Sequence, residues 1–291
     1  MIIELKAERL FQLPTLPAGW EHAATGVGHD FAFLVVAADA SFESRRAGQP
    51  SRHHVYKQVG RSFEDFAFVA TDPAAYMFVQ PFGDQKVLLV TPWLYKGVTN
   101  TGHIWSSDGA FVGQIPLGQG IEHVQTSAHS EVWVAYNDEG IFSAGQPGLA
   151  CFDRTGKRIF SFEDSFPADG KKDVPPIHDC YALNVSSENE VWAYYYSAFP
   201  LVRLVDKKLA GIWPRVPGLG AHAIAIGERS VLFAGDYGVR TAITRYFPES
   251  GRSEMAHAIG DGSPLDCTRA IGRADRLYLV ANSAVWLLRA D

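Results

Sequence analysis

The sequence predicts an all-β fold: a six-bladed β-propeller of four-stranded antiparallel blades. Three observations predict it. The stretch from Gly120 to Asp164 holds four short apolar or alternating runs separated by turn residues, which is the pattern of one four-stranded unit. Weaker copies recur: Gly19-Trp20-Glu21-His22 leads to Thr25 as Gly120-Ile121-Glu122-His123 leads to Thr126, 101 residues on, and Glu131-Val132-Trp133 is echoed by Glu190-Val191-Trp192. No stretch keeps a 3.6-residue apolar period with caps at both ends, so no strong helix competes. The second-ranked fold is a pair of packed β domains.

Taken in order, the first unit opens near Trp20. The apolar run Asp30 to Ala38 reads as a buried strand, and His54 to Val59 and Asp65 to Ala70 add two more. Between them Ser41 to Ser51, with Arg45, Arg46, Gly48 and Pro50, reads as a surface loop and the least ordered part of the chain. The second unit runs through Tyr76 to Pro81, Lys86 to Thr91, Gly102 to Ser106 and Ala110 to Leu117. Its last two runs meet at Ser107-Asp108-Gly109, which has hairpin-turn chemistry. Arg154-Thr155-Gly156 does the same in the third unit.

The fourth unit begins at His178 with Tyr181 to Val185, Glu190 to Tyr195, Leu201 to Val205 and Leu209 to Trp213. The fifth has Ala221 to Ile226, Ser230 to Ala234, Thr241 to Phe247 and Ser253 to Ile259. The sixth has Asp266 to Ile271, Arg276 to Val280 and Ala284 to Leu288, one strand short. The N-terminal segment Ile2 to Arg9 has no unit of its own and is expected to supply the missing strand, so that residues 1–291 form a single domain. Such a closure pairs two otherwise exposed sheet edges.

Composition narrows the function classes. The chain has 291 residues, 47% hydrophobic and 20% charged, with a net charge of −6. An acidic balance argues against a nucleic-acid partner, which needs a basic surface. The charged N-terminus lacks the apolar core of a signal peptide, and no apolar run approaches the roughly 18 residues of a membrane span. Neither a membrane nor secretion is expected, and the reading is cytoplasmic. Cys151, Cys180 and Cys267 are odd in number, widely spaced and set in apolar runs, so they are expected to be reduced and buried.

The candidate chemistry lies where each innermost strand begins. The aligned positions hold His22, Met77, His123, Asp179, His222 and Asp266, spaced 43 to 56 residues apart. Glu21, Glu122 and His178 precede three of them. Closing the ring would gather these groups at one channel mouth. Eight residues are therefore the expected binding set: Glu21, His22, Glu122, His123, His178, Asp179, His222 and Asp266. Imidazoles and carboxylates around one wet opening suit a divalent metal such as Zn, Mn or Fe, with His123, Asp179 and His222 as ligands. They also suit general acid–base work. The plainer reading is that polar groups at a channel mouth stay solvated and hydrogen-bonded. Trp133 and Trp192 read as wedges between blades, His53-His54 as solvated, and Tyr194, Tyr195 and Tyr196 as rings on alternating faces with at least one hydroxyl buried and paired. Gly-x-Ser-x-Gly, Gly-x-Gly-x-x-Gly and P-loop motifs are absent.

With Asp-x-x-Gly hairpins and Val-Trp second strands, the chain resembles the broad group of NHL-like β-propellers, over nearly its whole length and at the level of architecture. The WD-repeat and Kelch signatures are missing. Gluconolactonase-type propellers hold a divalent metal at the channel mouth through carboxylate and amide side chains, whereas the corresponding mouth here is His-rich. The expected function is a non-catalytic propeller that binds a protein or a small-molecule ligand on the channel-mouth face. The alternative is a metal-dependent hydrolase, lyase or isomerase with Glu122 or Asp266 as base.

Overall fold

The computed structural model describes residues 2–166 and 174–291. They form six four-stranded antiparallel sheets and three short helices, so the chain is an all-β six-bladed β-propeller. It divides into two compact units: unit I is Pro14–Ser165, and unit II joins Met1–Leu13 to Phe166–Asp291.

The chain enters through β1 (Ile2–Lys6) and β2 (Glu8–Gln12). Unit I then holds three sheets. Sheet 1 is β3 (Glu21–Val27), β4 (Phe33–Ala38), β5 (Ser51–Val59) and β6 (Ser62–Asp72), with α1 (Phe42–Arg46) between β4 and β5. Sheet 2 is β7 (Phe78–Pro81), β8 (Lys86–Val90), β9 (Gly102–Ser106) and β10 (Phe111–Ile115). Sheet 3 is β11 (Ile121–Thr126), β12 (Val132–Tyr136), β13 (Leu149–Phe152) and β14 (Arg158–Ser161), with α2 (Asp138–Ala144) before β13 and α3 (Phe162–Ser165) after β14.

Unit II holds the other three. Sheet 4 is β15 (Asp179–Val185), β16 (Glu190–Tyr196), β17 (Leu201–Val205) and β18 (Lys208–Trp213). Sheet 5 is β19 (Ala223–Ile226), β20 (Val231–Ala234), β21 (Ile243–Phe247) and β22 (Arg252–Gly260), with the short β23 (Ser263–Pro264) on β22. Sheet 6 is β24 (Arg269–Arg273), β25 (Arg276–Ala281), β26 (Ala284–Arg289) and, as its fourth strand, β2.

The N-terminal strand completes the last blade, with Glu8 opposite Leu287 and Gln12 opposite Ala284. The segment serves two sheets, however. Residues Ile2–Lys6 run parallel to β22, Ile2 opposite Met255 and Lys6 opposite Ile259, so sheet 5 gains a fifth strand. The crossover between them is buried Ala7, whose N–H donates to Ile259 O at 2.8 Å.

The burial pattern follows from the layering. Sheet 5 is the middle sheet of unit II and its second strand, Val231–Ala234, is buried throughout. The fourth strand alternates: in β22, Met255 and His257 are exposed while Ala256 and Ala258 are buried. First strands lie very close within each unit. A Cβ on Gly26 of β3 would stand 1.9 Å from Val79 O of β7, and one on Gly272 of β24 would stand 1.8 Å from Ile224 O of β19. Only glycine permits that approach. A buried amide pins each set. Asn184 donates to Ile224 O at 2.7 Å and Ala274 O at 3.0 Å and accepts from Ala274 N–H at 2.9 Å, while Gln80 Oε1 accepts from Thr126 N–H at 3.2 Å.

Several expectations hold. Trp133 and Trp192 are buried, and Trp192 stacks on Trp213 with centroids 5.2 Å apart. All three cysteines are free and buried. Tyr194 and Tyr195 are buried with paired hydroxyls, to Gly218 O and Pro175 O, and Tyr196 faces outward. Two expectations fail. Ser41 to Ser51 is no plain surface loop: Ser41 caps α1, and Arg45 within it is 1% exposed. His53 is not solvated but fully buried, whereas its neighbour His54 pairs with Asp65 at 2.9 Å.

Candidate functional site

The predicted residues lie at the starts of the first strands, in both units. In unit I, Glu21 and His22 open β3, and Glu122 and His123 lie early in β11. In unit II, Asp179 begins β15 with His178 just before it, His222 immediately precedes β19, and Asp266 stands three residues before β24. They are exposed or half-buried.

Their register is finer than the sequence alignment implies. β3, β11 and β15 each carry a bulge near their start, at Ala23, Glu122 and Tyr181 respectively. His22 precedes its bulge and His123 follows its own, so the two histidines occupy different positions in their sheets. A second repeat is backbone-based: Met77, His178, His222 and Thr268 each donate their N–H to the second strand, to Val90, Tyr196, Ala234 and Val280 O at 2.8 to 2.9 Å. His178, not Asp179, is therefore the counterpart of His222, and Asp266 sits two residues ahead of the corresponding Thr268.

In unit I the carboxylate of Glu21 has a structural duty. Buried Arg45 donates to Glu21 Oε1 at 3.2 Å, to Ala40 O at 3.0 Å and to Tyr76 O at 3.4 Å. Burial draws the Arg45 guanidinium down from its ordinary pKa, and Glu21 opposes that. Beneath it the Tyr76 hydroxyl lies 2.6 Å from His103 Nδ1, and His103 stands 3.5 Å from Asp72. His53 packs edge-on against Tyr76. Its pKa is pushed down to about 4, by burial first and then by Arg45, so it is neutral near pH 7. This layer ties sheets 1 and 2 together and contains Arg45, His53, Asp72, Tyr76 and His103, none of them among the eight candidates expected from the sequence.

In unit II an aromatic surface lies where the first strands begin. Tyr181, placed on the β15 bulge, meets the Tyr237 hydroxyl at 2.7 Å with its ring edge-on to Tyr237. A bulge re-aims the side chain it carries, which is how a first-strand residue reaches a neighbouring sheet's loop. Phe199 packs on Tyr181, Tyr196 and Tyr237 at centroid distances of 6.1, 5.5 and 6.3 Å. The floor is buried Tyr194 and Phe233. Tyr196 is 44% exposed, Tyr237 63% and the adjoining Leu219 49%. His178 lies beside Tyr196, with centroids 6.3 Å apart. Close glycines make room: a Cβ on Gly220 would meet Tyr237 N at 2.7 Å, and one on Gly235 would meet His222 Nδ1 at 2.3 Å. Phe199 holds φ at 53°, a left-handed conformation uncommon for a bulky residue and associated with functional sites.

Among the described residues no three of His, Cys, Asp and Glu are placed to hold a metal ion. His123 belongs to unit I, and Asp179 and His222 to unit II. A cavity of about 340 Å³ in unit II is lined by Arg229, Arg245, Phe247, Glu249, Ser250 and Asp291, and by none of the eight predicted residues. The aromatic surface was visible in the sequence only as Tyr194-Tyr195-Tyr196. Its other members, Tyr181, Phe199 and Tyr237, are brought together by the sheets.

A family model described as the YxzG family matches residues 149–287. No curated protein matches the sequence. Among solved structures, the chain is similar to Hsv2 of Kluyvelomyces marxianus, at 12% identity and a TM-score of 0.53 over 93% of this chain and 76% of that one. It is similar to virginiamycin B lyase from Staphylococcus aureus, at 13% identity and a TM-score of 0.52 over 98% and 99%. It is also similar to YCF48 bound to D1 peptide, at 9% identity and a TM-score of 0.53 over 100% and 92%. At these identities the likeness is one of fold, and the fold is that of a β-propeller.

Proposed function

We propose that the protein is a non-catalytic β-propeller scaffold that docks a segment of a partner protein on the unit II face where the first strands begin. The observation that carries this reading is the contiguous aromatic surface of Tyr181, Tyr196, Phe199 and Tyr237 beside His178, Asp179 and His222. Tyrosine and phenylalanine supply large contact area with few rotatable bonds, which is why aromatic residues are enriched at interfaces. The paired Tyr181 and Tyr237 hydroxyls hold two of these rings in place before any partner arrives, so less ordering free energy is lost on docking. The fold itself supports such a role, since YCF48 is a similar structure bound to a peptide.

The test is site-specific photocrosslinking in the native host. A benzophenone amino acid replaces Tyr237 in one strain and Phe142, a residue 68% exposed on α2 of unit I, in another. A discrete adduct from position 237 and not from 142 is the expected result. Identical adducts from both positions, or none from 237, would overturn the reading.

A further inference from the structure

We infer that the docked segment presents a lysine or arginine side chain, seated on the rings of Tyr181, Tyr196, Phe199 and Tyr237 beside the carboxylates of Asp179 and Asp236. This rests on the docking reading above and adds the chemistry of the partner.

Two features point the same way. The first is ring geometry. Tyr237 stands edge-on to Tyr181 at 87° and to Phe199 at 83°, and Tyr196 is inclined to Phe199 at 63°. The rings therefore offer π faces in several directions, and a π face attracts a cation. The chain exploits the same attraction elsewhere: the Arg252 guanidinium lies 4.0 Å from the Phe247 ring centroid.

The second feature is the sign of the local field. Asp179 begins β15 two residues before Tyr181, and exposed Asp236 directly precedes Tyr237. Both act on the cluster's hydroxyls. Burial is the first reason that Tyr181 and Tyr194 hold their protons well beyond the usual range. Asp179 adds to this at Tyr181 and Asp236 at Tyr194. An acidic segment would meet like charge here, and a purely apolar one would cover the exposed carboxylate of Asp236. A cation satisfies rings and carboxylates together.

A displayed library of random heptapeptides, selected on the immobilised full-length protein, tests this. Lysine or arginine should be enriched at one position. In a synthetic copy of the best peptide, replacing that residue by norleucine or citrulline keeps the shape and removes the charge, and should weaken binding about fivefold. Asp236→Asn, alone and with Asp179→Asn, should weaken the cationic peptide by a similar factor and leave the neutral copy unchanged. Arg240→Gln, in the same loop as Tyr237, should bind at least as well as the wild type. If the selected peptides show no excess of lysine or arginine, or the neutral copy binds equally, or Arg240→Gln abolishes binding, the cation is wrong. The docking reading then survives only if Tyr196→Ala with Tyr237→Ala still removes binding. If no peptide is enriched over a bare surface, both readings fall.

Discussion

The hydroxyl of Tyr181 lies 2.7 Å from the hydroxyl of Tyr237, joining a bulged residue of sheet 4 to a loop of sheet 5. The pair is near the surface, so water can replace the lost partner. Tyr237→Phe should therefore lower unfolding free energy by less than about 1 kcal/mol. Urea titration checks this. A loss several times larger would mean that the pair holds the fold together and is not a preformed docking element.

Arg45 and Glu21 should respond unequally to substitution. The guanidinium is buried and satisfied by two backbone carbonyls and one carboxylate, whereas the Glu21 side chain is 45% exposed. Removing Arg45 leaves Ala40 O and Tyr76 O without their donor and opens a gap. Arg45→Ala should cost about 3 kcal/mol or more. Glu21→Gln keeps an acceptor near the guanidinium, so it should cost less, about 1–2 kcal/mol. Equal losses in denaturant midpoints would contradict this division of labour.

Gly26→Ala and Gly272→Ala each place a Cβ within 2 Å of a carbonyl oxygen on the next first strand, Val79 O and Ile224 O. Backbone cannot yield as a flexible side chain would. Each substitution should destabilise by about 3 kcal/mol or more. Gly113→Ala, on edge strand β10 with nothing within 4 Å, is the matched control and should change stability by less than about 0.5 kcal/mol. Thermal melts of the three variants decide it.

How much of this was readable beforehand depended on how far apart the interacting residues lie in the chain. Period-2 runs bounded by turns are local, so Leu201–Val205 and Gly102–Ser106 are found at the ends expected for them. Register is not local. A bulge changes it by one residue, and nothing in Ile121-Glu122-His123 announces that Glu122 is the bulged residue. That is why His22 and His123 match as letters and differ as positions. The dual use of Ile2–Gln12 was hidden for another reason: the two strands follow one another with only Ala7 between them. Arg45 and His53 were misread because polar residues are mostly exposed, and partners such as Glu21 and Tyr76 lie 23 to 31 residues away.

Truncation separates the two N-terminal strands. Removing residues 2–6 strips β1 from sheet 5 and leaves its four antiparallel strands intact. Removing residues 2–12 also takes the fourth strand of sheet 6, uncovering β26 and the packing of buried Phe11. The shorter deletion should yield folded protein with a lower melting temperature. The longer one should yield aggregated protein, since an unpaired apolar edge recruits other chains. Size-exclusion chromatography of both proteins reads the difference. Comparable behaviour of the two would mean that β2 contributes no more than β1.

His53 makes stability depend on pH in a definite direction. Burial, then the nearby charge of Arg45, lowers its pKa to about 4 from an ordinary 6.5, while Asp72 and Asp39 pull weakly the other way. The unfolded chain thus takes up a proton near pH 6.5 that the folded chain refuses until about pH 4. Stability from this residue is complete above pH 6.5 and drains away as pH falls through that window, by about 3 kcal/mol in total. Asp72 acts in a lower range. Burial pushes its carboxyl up, but hydrogen bonds from His103 and the Ala74 N–H together hold it below its usual pKa, so its contribution is lost only below about pH 3.8. The two windows are separable. His53→Phe keeps an aromatic ring against Tyr76 and removes the titration. Denaturant unfolding of wild type and variant at pH 7.5 and pH 4.5 should show the wild type losing more stability than the variant between the two. Parallel losses would mean that His53 is protonated in the folded protein and that its burial is not what sets its charge.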